Sequence, residues 1–154
     1  MASGVERFLE RAAARDLQLE VREFPAGTRT AADAAAAIGC DVGQIVKSLV
    51  FLADDRPVLV LTSGANRVDE ARLAAHLGAS NVRKANAEEV RAATGYAIGG
   101  TPPFGHDTHL AIWCDRDLTT YQQVWAAAGS PTTVFPIAPE VLMRTTGAHV
   151  LEVR

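Results

Sequence analysis

A chain of 154 residues has room for a single domain with a real core. With 48% hydrophobic residues, 21% charged residues and a net charge of −3, it reads as a globular chain, without the basic footprint of a protein that wraps nucleic acid. No apolar run approaches the roughly 20 residues of a membrane span, and two distant cysteines, Cys40 and Cys114, with no CxxC exclude a disulfide scaffold and fit a reducing cytoplasm.

Residues 5–16 place Val5, Phe8, Leu9 and Ala12 at helical spacing, which predicts a first helix and not a signal peptide. Residues 17–24, "LQLEVREF", alternate as a strand does. Residues 28–39 open on threonines, run through alanines and end at Gly39, the pattern of a short capped helix. Two apolar runs, 45–52 and 57–62, joined by "ADDR", predict a hairpin of central strands covered on both faces. Residues 66–78 predict a helix with Val68, Ala71, Leu73, Ala74 and Leu77 inward. A short strand or connector follows at 81–85, then a helix at 86–95 capped by Asn86 and stopped by Gly95. Residues 96–108 hold too many glycines and prolines for regular structure. Strands at 109–115, 123–129 and 132–137, a helix at 138–147 with a proline in its first turn, and a strand at 148–153 complete the chain. With no repeat, linker or composition break, residues 1–154 read as one α/β domain, its mixed sheet curved and barrel-like among surrounding helices.

Two lysines occur in the chain, Lys47 and Lys84, and Lys47 interrupts an otherwise buried strand. An ammonium left unpaired in a dry core costs several kcal/mol. Lys47 therefore reaches water, a carboxylate or a bound anion. It is either a snorkelling side chain at a sheet rim or the floor of a cleft for an anion such as phosphate. The loop "GGTPPFGH", residues 99–106, is stiff yet lets a backbone approach a ligand, and its N–H groups suit a carbonyl or phosphate oxygen. The bland alternative is a tight turn between helix and strand. His106 directly follows this loop and is the best ligand contact among the four histidines; His109 lies near it, but no third metal ligand does, so no metal is expected. No GxSxG elbow, P-loop or nucleophile–base pair is present, which argues against covalent catalysis. Asp115, Arg116 and Asp117 read as solvated charges at a turn, one of them able to orient a site.

Together, "QIVKSLVF" and "GGTPPFGH" resemble the YbaK/ProX family of aminoacyl-tRNA deacylases, relatives of the editing domain inserted in bacterial prolyl-tRNA synthetases. Lys47 matches the family lysine, Gly99 and Pro103 the ends of its GxxxP loop, and Gly105 the glycine just beyond. The resemblance implies a mixed α/β domain that hydrolyses, in trans and without cofactor or metal, the ester between a wrong amino acid and the 3′ CCA end of tRNA. It implies catalytic roles for Lys47, on the terminal phosphate, and for Gly99, Gly100, Thr101 and Pro103, on the aminoacyl group and attacking water. Thr30, Ser48, Pro102, Gly105, His106 and Gly129 become the expected substrate-binding residues, and the turn at 126–131 an expected pocket wall. Members that act on cysteinyl-tRNA carry an "SGG" turn followed by an aspartate; "AAAGSPTTV" stands here, so alanine, serine, threonine and small non-protein amino acids are left open. An aminoacyl-tRNA is the expected partner, with a synthetase as a possible second one, in the cytoplasm, as a monomer by default, with neither membrane nor DNA involved. Competing readings are a non-catalytic module of the same fold that binds tRNA ends or nucleotides, and a hydrolase of small-molecule esters.

Overall fold

The structure, a computed structural model, describes residues 3–24 and 30–154. Helix α1 (Gly4–Ala13) is capped by Ser3 and leads through an extended segment to the two-residue strand β1 (Arg22–Glu23). Helix α2 (Ala31–Ile38) is capped by Thr30, whose hydroxyl accepts from the Asp33 N–H, and ends at Gly39 with φ of 85°. The first two residues expected in that helix, 28 and 29, lie outside the described residues. A 3-10 turn (Val42–Gln44) opens β2 (Ile45–Ala53), which returns as β3 (Arg56–Ser63). Asp54 and Asp55 take φ of 47° and 67°, the paired left-handed conformations of a two-residue hairpin turn. Then follow α3 (Glu70–Leu77), β4 (Val82–Lys84), α4 (Ala87–Thr94), β5 (Ala111–Asp115), β6 (Val124–Ala127), β7 (Thr133–Ile137), α5 (Pro139–Thr146) and β8 (His149–Leu151).

The eight strands form one mixed sheet in the order β1-β7-β6-β2-β3-β5-β8, with β4 also on β2. The sheet is not closed: β1 and β8 end the order, so the barrel-like expectation stops short of a barrel. Two other expectations change. Residues 17–22 do alternate between half-buried and exposed, but Arg22 and Glu23 are both exposed, and only these two pair, with Val134 and Thr133. The third helix starts at Glu70 behind its cap Asp69, and Ala71 is exposed, not inward.

Strand β2 positions the site. One edge pairs with β3 from Val46 to Ala53. The other edge is shared: β6 takes Ile45 and Val46 in parallel, and β4 takes Phe51, Leu52 and Ala53 antiparallel. The sheet therefore forks along this second edge, and there Lys47, Ser48 and Leu49 stand in the fork with no described strand beside them, while β3 pairs them on the first edge. The faces explain the lysine. Val46, Val50 and Leu52 enter the main core with Phe8, Tyr96, Phe104 and Phe135. On the opposite face Ile45 joins a cluster under α2, and Phe51 joins one under α3. Lys47 falls at the seam between those two clusters, where neither buries it.

Candidate active site

A cavity of about 540 Å³ opens at the fork. Lys47, Ser48 and Leu49 line it from β2, Lys84 from β4, and Ile98, Gly99 and Thr101 from the loop. Thr30 and alanines of α2 form one wall, and Ala127, Ser130 and Pro131 another. Both lysines of the chain thus face one cavity, and no carboxylate is among the described residues that line it.

Lys47 is half-buried, and its Nζ donates to the carbonyl oxygen of Asn66 at 2.7 Å. Burial first, then repulsion from Lys84 and Arg67, push its pKa below the usual lysine value, against the opposing pull of Asp115. One of its three N–H donors is used, and two are left for an anion.

The turn that receives Lys47 is itself pinned. Asp115, 1% exposed, accepts from the Ser63 N–H at 3.0 Å, the Asn66 side-chain amide at 2.8 Å and the Asp117 N–H at 2.9 Å. The Asn66 amide also donates to Asp117 at 2.7 Å. The expectation of solvated charges at 115–117 therefore fails for Asp115. A carboxylate at the C-terminal end of a buried strand meets unpaired N–H donors of the neighbouring turn there, and takes them. Asn66 is the residue that sequence reasoning missed, and Asp115 one that it placed among solvated turn charges, one of them able to orient a site; the signal for its burial was an acid directly after the apolar "AIWC".

The glycine–proline loop is held from behind. Gly100 donates its N–H to the Ala97 carbonyl at 3.0 Å, and the Thr101 hydroxyl donates to the same oxygen at 3.1 Å. A Cβ on Gly100 would lie 2.8 Å from backbone atoms of Ser130, so glycine is what lets this loop meet the opposite turn. Gly99, at φ of 86°, has open space around it. The Gly100 amide is occupied, and the amides of the two cavity-lining residues Gly99 and Thr101 have no partner among the described residues. Pro102 and Pro103 are buried behind the cavity. His106 donates from Nε2 to the Pro102 carbonyl at 2.7 Å; burial lowers its pKa, against the opposing effect of that hydrogen bond. The Gly105 carbonyl accepts from Tyr96 Oη at 3.0 Å and Arg11 Nη1 at 2.8 Å. Gly129, at φ of 106°, packs on Gly4 at the start of α1. Of the expected residues, the fold thus brings Thr30, Lys47, Ser48, Gly99 and Thr101 to the cavity wall. Gly100, Pro102, Pro103, Gly105, His106 and Gly129 stand behind it as its backing. The Ser48 hydroxyl is buried with no hydrogen-bond partner among the described residues.

The sequence profile of the aminoacyl-tRNA editing domain matches residues 25–145. The chain belongs to the aminoacyl-tRNA editing domain family. A solved structure described as a candidate trans-editing enzyme for prolyl-tRNA synthetase matches this editing domain with a TM-score of 0.93 at 44% identity, over 100% of this chain and 98% of that one. The protein YwhH of Bacillus subtilis (strain 168) is 31% identical over 124 residues, 80% of this chain and 78% of YwhH. The proline–tRNA ligase of Ligilactobacillus salivarius (strain UCC118) is 38% identical over 90 residues, which cover 58% of the editing domain but only 16% of the ligase. Helix α1 of the editing domain lies outside the matched profile, yet it supplies Phe8 and Ala12 to the core and Arg11 to the loop. Among the described residues no helix is long and apolar enough to cross a membrane.

Proposed function

We propose that the protein is a deacylase that acts in trans, cleaving the ester that joins a small non-cognate amino acid to the 3′ end of tRNA. The observation that carries this reading is the shared cavity of Lys47, Lys84 and the Gly99–Thr101 loop, cationic and without a described carboxylate. An RNA end brings a phosphate and an ester together, and this cavity has a group for each. The ammonium of Lys47 holds the phosphate of the terminal nucleotide with the two donors Asn66 leaves it. The amides of Gly99 and Thr101 face the ester carbonyl and stabilise the oxyanion as it forms.

Water is the nucleophile, because no activated side chain lines the cavity among the described residues. Its oxygen adds to the carbonyl carbon, the bond to the ribose oxygen breaks, and that oxygen leaves as the hydroxyl after taking one proton of the attacking water, the other passing to solvent. The free amino acid departs as its carboxylate. Small residues on the walls, such as Ala34 and Ala127, suit a small side chain. A second site of this kind serves a synthetase whose own pocket separates a missing methylene by only about 10–200-fold. We place the enzyme in the cytoplasm as a monomer, with a synthetase as its second partner.

The test is a panel of tRNAs carrying alanine, serine, threonine or cysteine, with loss of the ester measured beside a simple amino acid ester. Release from one or more tRNAs, far faster than from the simple ester, is the expected result. Binding without release on every tRNA would instead favour a module that only binds, and equal release from simple esters would favour a small-molecule hydrolase.

A further inference from the structure

Three large hydrophobic residues are exposed among the described residues: Val42 at 37%, Ile98 at 52% and Val150 at 41%. Two of them, Val42 and Ile98, line the one cavity that also holds both lysines, whereas Val150 sits on β8 away from it. They arrive from different parts of the chain: Val42 from the 3-10 turn before β2, and Ile98 from the residue ahead of Gly99. Exposed aliphatic side chains scattered singly need no explanation, but two at the rim of one cationic cavity do.

The chemistry of the cavity is divided. Lys47 and Lys84 can take a phosphate; Val42, Ile98 and the alanines of α2 can take only an apolar surface. The volume of about 540 Å³ lies in the range that encloses a drug-sized ligand, more than a small aminoacyl group fills. A ligand that carries a phosphate and a flat apolar face on one frame is a nucleotide.

We infer that Val42 and Ile98 clamp the purine ring of the terminal nucleotide while Lys47 and Lys84 take its phosphate. This rests on the reading of the site as one for an RNA 3′ end. Aliphatic side chains carry no donor or acceptor, so the clamp senses the area of the ring and not the pattern of its edge. Adenine and guanine then bind alike, and a pyrimidine, which offers less surface, binds more weakly by about three- to tenfold.

The experiment is equilibrium binding of four probes to the full chain: adenosine, guanosine and cytidine 5′-monophosphates, and inorganic phosphate. The expected order is adenosine equal to guanosine, then cytidine, then phosphate. Ile98→Ser and Val42→Ser each bring the purine nucleotides to the level of cytidine and leave phosphate binding unchanged. Val150→Ser, the exposed aliphatic outside the cavity, changes nothing. Ile98 is half in water, so its replacement leaves the core intact, and thermal melting of each variant checks this. Equal binding of purine nucleotide and phosphate, no binding of any nucleotide, or a purine preference that survives both serine variants overturns the inference. Purine binding of the expected kind without ester release from any tRNA would retire the deacylase and keep the clamp. Ester release without purine preference would do the reverse.

Discussion

The Nζ of Lys47 donates to the carbonyl oxygen of Asn66 at 2.7 Å, across the seam between two apolar clusters. Asn66 thereby fixes the direction of the ammonium without neutralising it. A side-chain carboxylate in place of that carbonyl would form an ion pair and compete with a phosphate; a backbone carbonyl orients the charge and leaves it available. The side chain of the same asparagine is in turn held by the buried Asp115.

Asp115 is therefore expected to act through Asn66. Asp115→Ala strands the Ser63 and Asp117 N–H groups and leaves the Asn66 amide with Asp117 alone, and should cost about 3 kcal/mol of stability by denaturant unfolding. Asp115→Asn keeps an acceptor and should lose less. In the folded fraction of either variant, kcat on an aminoacyl-tRNA should fall about tenfold, because the ammonium loses its alignment. A merely structural Asp115 would lower the folded fraction and leave kcat per folded molecule unchanged.

The lowered pKa of Lys47 gives a pH signature. Its cationic form binds phosphate, so affinity is present below the lowered value and is lost as pH rises through it, earlier than for an exposed lysine. Lys84→Met removes a like charge and should move the midpoint of that loss upward, even though affinity itself drops. Asp115→Asn removes an opposite charge and should move it downward. Phosphate binding followed by calorimetry from neutral pH upward reads these shifts, free of the unaided alkaline hydrolysis of the ester.

The two glycines of the loop should respond differently to alanine. At Gly100 a Cβ meets the backbone of Ser130 at 2.8 Å, so the loop is pushed off the opposite turn, at a cost of about 1–3 kcal/mol and most of the activity. At Gly99 nothing stands within 4 Å, and the cost is backbone strain of about 1–2 kcal/mol from its positive φ. Gly99→Asn should recover part of that, since asparagine tolerates the left-handed region. Melting curves and single-turnover rates on the same preparations separate clash from strain.

Local chemistry made much of this fold legible in the sequence. Asp54–Asp55 marked the hairpin, Asn86 and Gly95 bounded α4, and the double-sided apolar runs of β2 and β3 placed them centrally. The fork was not legible, because periodicity tells which face a side chain takes and not which strand lies alongside. Lys47 could be recognised as anomalous in its strand, but its position between two clusters depends on β4 and β6 sharing one edge of β2. Asp115 was misread for a related reason: its partners are N–H groups of a turn 49 to 52 residues away. For His106, adjacency to the loop drew attention, whereas the bond to Pro102 turns its ring to the loop's own backbone.

The brace behind the loop yields a coupling test. Arg11 and Tyr96 both donate to the Gly105 carbonyl, so either alone should keep the loop in place. Arg11→Met and Tyr96→Phe should each lower the deacylation rate only slightly, by less than about threefold, and the double variant should lose more than the product of the two. A double-mutant cycle on kcat detects that excess, and simple additivity would remove the brace from the account.

The most direct measurement is the single-turnover rate of ester loss from one mischarged tRNA by wild type, Lys47→Ala and Lys47→Arg, with each variant verified as folded. A cationic anchor at the fork of the sheet predicts a loss of about a hundredfold or more for Lys47→Ala and a partial return for Lys47→Arg. A Lys47→Ala rate within about twofold of wild type would contradict it, being too small a change for a group that holds the substrate in the transition state.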